Sequence, residues 1–186
     1  MKHAIFILCA VCWIISGCSN NKELTREEAM KLIRQEIHYP KVFDFEINRV
    51  DQNQARKVLD VGLEAKGLLA VQRAQKLIDI GRPIIHFTDK AKPFFLPLPE
   101  GENPEKVQVV KLADEELAEV SGIKTSGSGK NAVVEYTTVY KNITPFAALV
   151  NRDFGKREVH KAYFSLYDDG WKYEKKPGVE FIELEK

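Results

Sequence analysis

Cysteine is scarce in this chain of 186 residues, and its three copies, Cys9, Cys12 and Cys18, all lie near the N-terminus. From Ser19 onward there is none. A disulfide framework, a thiol nucleophile and a cysteine-ligated metal site are therefore excluded for that part of the chain. Its stability must come from a packed core, and its length suffices for one sizeable core or two small ones.

An excess of either charge is also lacking, since 28 Lys and Arg stand against 27 Asp and Glu. Nucleic-acid-binding domains are usually strongly basic, so this balance argues against a nucleic-acid partner. The chain also has no long hydrophobic run. The apolar stretch Ala4 to Ile15 has twelve residues, and a helix that spans a bilayer needs about 20.

Motifs that carry catalysis or metal binding are missing as well. There is no H-E-x-x-H, G-x-S-x-G or EF-hand pattern, and His86 and His160 lie far apart in the sequence. Asp44 and Glu46 would share one face of a strand about 7 Å apart, a spacing that a paired-carboxylate mechanism could use. Two charges on a solvated face explain them more simply. The sequence therefore predicts no catalytic residue, no cofactor site and no metal site.

The N-terminus does carry a recognisable pattern. Lys2 and His3 precede the short apolar run, and small residues follow it, which is typical of a secretory signal peptide. The stretch Ile15-Ser16-Gly17-Cys18 resembles the lipobox of bacterial lipoproteins. This resemblance implies a signal peptide over residues 1–17 and a lipid, such as palmitate, on the sulfur of Cys18.

A lipidated Cys18 would place the protein in the cell envelope, attached to a membrane. Two or three acyl chains would hold it there firmly, because one chain alone binds only marginally. By the same resemblance, Ser19 in place of an aspartate favours the outer membrane if the cell is Gram-negative. Residues 18–24 form a polar tether. Its five residues 19–23 reach about 18 Å at most when fully extended.

The first half of the folded part mixes helices and strands. Thr25-Arg26-Glu27-Glu28 is a capping box, which predicts a helix that ends near His38. The pattern then predicts a strand over 42–50, a helix from Asp51 to Gly67, and strands over 68–73 and 83–88. Residues 51–92 weakly resemble the last helix and the wing of a winged-helix domain.

The second half is rich in strand patterns. Proline-rich residues 93–104 are the best boundary and divide an α/β half, residues 25–99, from a β-rich half, residues 100–186. The predicted strands of the second half are 107–112, 117–124, 132–142, 158–167 and 171–174, with one or two helical turns over 145–150. We therefore expect an α+β fold, in which a helix–strand–helix–hairpin half precedes an antiparallel β-rich half.

Charge is balanced overall but uneven along the chain. Residues 66–92 contain six basic and two acidic residues, and residues 100–120 contain seven acidic and two basic ones. The two stretches either face each other or are solvated, or else the basic one faces an anionic surface. On the latter interpretation Arg73, Lys76 and Arg82 are the candidate membrane-facing residues, since a basic side chain near such a surface contributes about 1 kcal/mol.

Aromatic residues crowd the C-terminal strands. The set is Tyr136, Tyr140, Tyr163, Tyr167, Trp171 and Tyr173. These residues would either form cross-strand pairs that stabilise the sheet or form a face that binds a glycan or peptide. The leading hypothesis is a non-catalytic envelope lipoprotein that contacts an envelope protein, a glycan or an anionic lipid surface. The alternative is an envelope hydrolase that uses carboxylate or histidine residues of the β-rich half.

Overall fold

The computed structural model describes residues 23–184. The predicted signal peptide, the lipobox and Cys18 lie outside these residues. The helices are α1 Arg26–Glu36 and α2 Gln52–Asp60. The strands are β1 Lys41–Asn48, β2 Leu69–Val71, β3 Ile85–Phe87, β4 Phe95–Leu96, β5 Val107–Thr125, β6 Asn131–Lys141, β7 Glu158–Tyr167 and β8 Gly170–Tyr173. Short 3₁₀ turns cover Leu77–Asp79, Asp89–Phe94, Pro145–Leu149 and Val179–Leu184.

The predicted α+β class is confirmed, with more strand than helix. One curled antiparallel sheet has the order β1-β5-β6-β7-β8, and the short β4 also pairs with β5. Strands β2 and β3 form a separate hairpin. The helical turn predicted over 145–150 is present as a 3₁₀ turn.

Helix α1 begins at the predicted capping box. The Thr25 hydroxyl accepts a hydrogen bond from the amide of Glu28 at 3.2 Å, and Leu24 before it is buried. The Arg26 guanidinium donates to the carbonyls of Val120, at 2.5 Å, and Ser121, at 3.2 Å. The start of α1 is therefore attached to the C-terminal part of β5.

Strand β5 is longer than the sequence indicated. The prediction of two strands, 107–112 and 117–124, is wrong, because one strand of 19 residues runs through both. The stretch between them is charged, with three acidic residues in succession. Its carboxylates find partners beside the strand: Asp114 accepts from Lys111 at 2.6 Å and from Asn142 at 2.8 Å.

The two halves of the sequence share the main sheet. Strand β1 belongs to residues 25–99, and its pairing with β5 runs from Lys41 opposite Glu115 to Asn48 opposite Val107. The proline-rich stretch that suggested a boundary is the connection that leads into β5.

The apolar side chains form two main clusters. One joins α2, the β2–β3 hairpin and the start of β5, and the other joins α1 to the rest of β5 and to β6–β8. A small third cluster joins β6 to the C-terminal 3₁₀ turn. All three clusters lie within residues 24–184, so the chain from Ser19 onward contains the packed core.

The β2–β3 hairpin and the start of α1 lie beside opposite ends of β5. The amides of Ile84 and Ile85 donate to the carbonyl of Arg49, at 2.8 and 3.1 Å, and the Arg49 amide donates to Lys106 at 2.6 Å. The hairpin thus lies at the beginning of β5, whereas α1 begins beside Val120. Thirteen strand residues, at about 3.3 Å each, span roughly 40 Å.

Candidate functional site

The connection between β2 and β3, residues 72–84 (the β2–β3 loop), presents apolar side chains to solvent. Leu77 is 88% exposed, Ile78 82% and Ile80 70%. A 3₁₀ turn of three residues, Leu77–Asp79, is too short to bury a face of its own. Exposed apolar residues that are contiguous mark a contact surface, whereas scattered single ones are normal.

Hydrogen bonds within the loop fix this arrangement. The Asp79 amide donates to the Lys76 carbonyl at 2.9 Å, and the Arg82 amide donates to the Asp79 carbonyl at 3.0 Å. The side-chain amide of Gln75 donates to the carbonyls of Asp79 and Arg82, each at 3.1 Å. The backbone of the turn is therefore paired internally while Leu77 and Ile78 point outward.

The three predicted membrane-facing cations, Arg73, Lys76 and Arg82, all lie exposed in this loop. Two of them form ion pairs: Arg73 with Glu64 at 2.5 Å and Arg82 with Asp79 at 3.1 Å. The hydrogen bond from Arg73 holds the pKa of Glu64 below its usual range. Exposed pairs of this kind are weak and screened by salt, so both arginines can exchange their partner for another anion.

The basic and acidic stretches of the sequence do not pair with each other. Within the part of the chain that the structure describes, no ion pair joins residues 66–92 to residues 100–120. Three of the acidic side chains have partners outside the basic stretch, such as Arg157 for Glu119 at 2.5 Å. The basic stretch therefore keeps a net positive charge, which Glu64 reduces by one.

A groove separates the β2–β3 loop from helix α2. Its volume is about 590 Å³. Helix α2 contributes Arg56 and Leu59, the loop contributes Gln75 and Ile80, and Ile84 lies at the hairpin side. Because Ile80 belongs both to the exposed apolar set and to the groove, the two features form one continuous surface.

A second polar site lies on the main sheet, where β5, β6 and β7 run side by side. The buried Thr138 hydroxyl donates to Glu115 Oε1 at 2.8 Å and accepts from His160 Nε2 at 3.0 Å, an assignment that places a proton on that nitrogen. His160 Nε2 is 3.4 Å from Glu115 Oε1. The imidazole also stacks on Tyr136, with 5.2 Å between ring centroids.

This cluster (Glu115, Thr138 and His160) is partly open to solvent. The side chains of His160 and Glu115 are 35% and 14% exposed, whereas Thr138 is fully buried. Burial also raises the pKa of the neighbouring Tyr136 hydroxyl. The arrangement provides a histidine oriented by a hydroxyl and a carboxylate, as a general base requires.

The other candidates from the sequence are scattered. His86 is exposed on the β2–β3 hairpin, opposite Ala70. Asp44 and Glu46 are both exposed on β1, as two charges on a solvated face would be. The structure brings none of the three into the Glu115, Thr138 and His160 cluster.

The aromatic residues of the C-terminal strands are divided between the core and the surface, so a glycan- or peptide-binding face made of them stays a prediction. Tyr136, Tyr140 and Trp171 are buried. Tyr163 packs edge-on against Phe181, with 5.3 Å between ring centroids. Tyr136 and Trp171 pack in the cluster that contains α1, and Tyr140 packs against Phe43 and Phe154.

Sequence reasoning missed two features. The apolar set in the β2–β3 loop was readable in part, because Leu77, Ile78 and Ile80 interrupt a polar stretch between two predicted strands. The meeting of Glu115, Thr138 and His160 was not readable, since it depends on strand pairings between residues 22 to 45 positions apart in the chain.

Comparison with protein-family models, with curated proteins and with solved structures finds no match to this chain. Between residues 23 and 184, no helix is both long enough and apolar enough to cross a membrane. In the same range, no three His, Cys, Asp or Glu side chains form a group that could hold a metal ion.

Proposed function

We propose that this protein is a lipid-anchored, non-catalytic contact module of the cell envelope, whose β2–β3 loop binds an anionic lipid surface. The observation that carries the proposal is the apolar set Leu77, Ile78 and Ile80, exposed within a loop that is also basic. Its chemistry matches an interfacial membrane segment, in which apolar side chains enter the acyl boundary and cations meet the headgroups.

The proposed contact has two energetic parts. Leucine and isoleucine side chains leave water, which contributes about 25 cal/mol per Å² of apolar surface that becomes buried. Basic residues near an anionic surface contribute about 1 kcal/mol each, within about a Debye length. The loop keeps Lys76 unpaired with any carboxylate of the described residues, while Arg73 and Arg82 would exchange carboxylates for phosphates.

The lipid on Cys18 would supply the second point of attachment. The start of α1 and the β2–β3 loop lie at opposite ends of β5, whose path between them is roughly 40 Å long. A tether over residues 18–24 is short, so both attachments reach one membrane only if β5 lies along its surface. Export, lipidation and a place at the outer membrane belong to this proposal on the evidence of the lipobox and Ser19.

The electrostatic part is tested by binding the chain from Ser19 onward to vesicles that contain phosphatidylglycerol. Replacing Arg73, Lys76 and Arg82 with Gln should reduce binding at low salt, and wild-type binding should weaken near physiological salt. A control replaces three exposed lysines elsewhere, Lys31, Lys156 and Lys175, with the same loss of charge. Equal retention of both variants and the wild type would contradict the proposal.

The hydrolase alternative is favoured by one observation, the orientation of His160 by Thr138 and Glu115. In that function the imidazole would act as a general base on a water molecule, with the carboxylate stabilising the imidazolium. Hydrolysis of a panel of ester and amide substrates that is lost in His160→Gln would support it. Identical turnover by wild type and variant would rule it out.

A further inference from the structure

We propose that the groove between α2 and the β2–β3 loop binds the phosphate-containing headgroup of one anionic phospholipid. The inference rests on the proposed membrane contact and names its ligand. A groove of about 590 Å³ lies in the range of ligand sites, which is about 300–1,000 Å³. It is therefore large enough for a headgroup and the start of its acyl chains.

Arg56 is the main anion-binding group. It lies on α2 and lines the groove, and no carboxylate of the described residues lies within ion-pair distance of it. A guanidinium binds phosphate oxygens through two parallel hydrogen bonds, which gives orientation as well as attraction. Arg56 can do so without giving up an existing partner.

Arg73 is a second cation in the lining, where its partners are Glu64 and the Val71 carbonyl. It donates to both carboxylate oxygens of Glu64, at 2.5 and 3.3 Å, and to the Val71 carbonyl at 3.0 Å. Glu64 in turn accepts from the Val71 amide at 2.8 Å. This network places a second positive charge in the groove wall, although Glu64 offsets part of it.

The uncharged lining residues match the rest of a phospholipid headgroup. Gln52 supplies a side-chain amide, and Gln72 supplies the amide hydrogen that its bond to the Ala74 carbonyl leaves over; both can donate to hydroxyl and ester oxygens. Leu59 and Ile80 supply apolar surface for the glycerol backbone and the first methylenes. The lining therefore combines polar and charged groups with some apolar surface, which are the two kinds of contact that a headgroup and the start of its acyl chains need.

The position of the groove favours a lipid over a soluble phosphate. Ile80 lines the groove and is 70% exposed, beside Leu77 and Ile78 at the tip of the loop. When that tip enters a membrane, the groove opens at the level of the headgroups. A soluble phosphate would gain nothing from the apolar tip, whereas the chains of a bound lipid would remain in the bilayer next to it.

The test measures binding of monomeric dihexanoylphosphatidylglycerol to the chain from Ser19 onward by calorimetry. We expect saturable binding with one site. Arg56→Gln should weaken it about tenfold, which corresponds to about 1.4 kcal/mol, and Arg56→Lys should lose less because it keeps the charge. The matched control Lys31→Gln removes a charge from the exposed face of α1 and should bind as the wild type does.

Two further ligands identify what the groove recognises. Equal binding of dihexanoylphosphatidylcholine would overturn the preference for an anion, and equal binding of glycerol 3-phosphate would overturn the assignment to a lipid. Wild-type affinity in Arg56→Gln, at an unchanged unfolding temperature, would overturn the site itself.

Vesicle binding separates this inference from the proposed function. Leu77→Ser with Ile78→Ser should lose binding to phosphatidylglycerol vesicles and keep binding of the short-chain monomer. Arg56→Gln should keep binding to the vesicles and weaken binding of the short-chain monomer. If the wild type binds vesicles but no monomer, the groove inference fails and the membrane contact stands; if it binds the monomer but no vesicles, the membrane contact fails and the groove stands.

Discussion

The apolar tip of the β2–β3 loop offers the sharpest single perturbation. Replacing Leu77 and Ile78 together with Ser removes both branched side chains and leaves the charges of the loop unchanged. The backbone hydrogen bonds of the turn and the Gln75 side-chain bonds do not involve these side chains. We therefore expect the fold to keep its stability within about 0.5 kcal/mol, as for other surface changes.

The expected loss of membrane binding follows from exposure. Full burial of a leucine or isoleucine side chain contributes about 1.5–3 kcal/mol. With Leu77 88% and Ile78 82% exposed, almost all of this transfer is still available to a lipid surface. Because insertion at an interface is shallow, we take the lower value for each side chain. Multiplied by the exposed fraction of each, it gives about 2.5 kcal/mol for the pair. This corresponds to a roughly 60-fold lower partition coefficient.

Flotation of the chain from Ser19 onward with phosphatidylglycerol vesicles measures that coefficient directly. Val179→Ser is the matched control, because Val179 is 81% exposed and lies in another 3₁₀ turn. The control should bind as the wild type does. A double variant that floats within about twofold of the wild type would refute the insertion of the tip, since its predicted loss is far larger.

Three further predictions concern the anchor, the core and the Asp114 carboxylate of β5. Cys18→Ser should release the protein from membranes and abolish incorporation of labelled palmitate; a variant that stays membrane-bound, beside a wild type that takes up no label, would contradict the lipobox. Ile33→Ala should cost about 2–5 kcal/mol in chemical denaturation, whereas Leu59→Ala should cost less, because Leu59 is only half-buried. The Lys111 ammonium and then the Asn142 amide hold the pKa of Asp114 below its usual range. The folded pKa of Asp114 is therefore below the unfolded value of about 3.9. Its contribution to stability is present above about pH 3.9 and is lost as the pH falls through the folded pKa. In urea unfolding, Asp114→Asn should therefore lose less stability than the wild type when the pH is lowered.

The sequence predicted helices and strands well where the signal depends on residues that are close together in the chain. The capping box at Thr25 formed as expected, and Ile33 is buried on α1 as its spacing indicated. The helical spacing of residues 51–67 likewise predicts a buried Leu59, but Leu59 is only half-buried. Helix α2 ends at Asp60 rather than near Gly67, because Gly62 adopts a φ of +73°.

Long-range pairing explains what the sequence could not predict. Nothing local indicates that Glu115 would meet Thr138 and His160 from neighbouring strands. The candidate membrane-facing cations Arg73, Lys76 and Arg82 share one loop, whereas the predicted strand over 68–73 had included Arg73. The groove beside them also requires α2, and its packing against the hairpin depends on buried contacts that no periodicity shows. The winged-helix resemblance of residues 51–92 stays a prediction.

The central claim, that the β2–β3 loop enters an anionic lipid surface, is tested most directly by a spin label at its tip. The chain from Ser19 onward has no cysteine, so Ile78→Cys gives a single labelling site. Val179→Cys gives a control of matched exposure, 81% against 82%. On phosphatidylglycerol vesicles, the label at position 78 should become shielded from a water-soluble relaxation agent, while the label at position 179 stays accessible. Equal accessibility of both labels on vesicle-bound protein would contradict the claim.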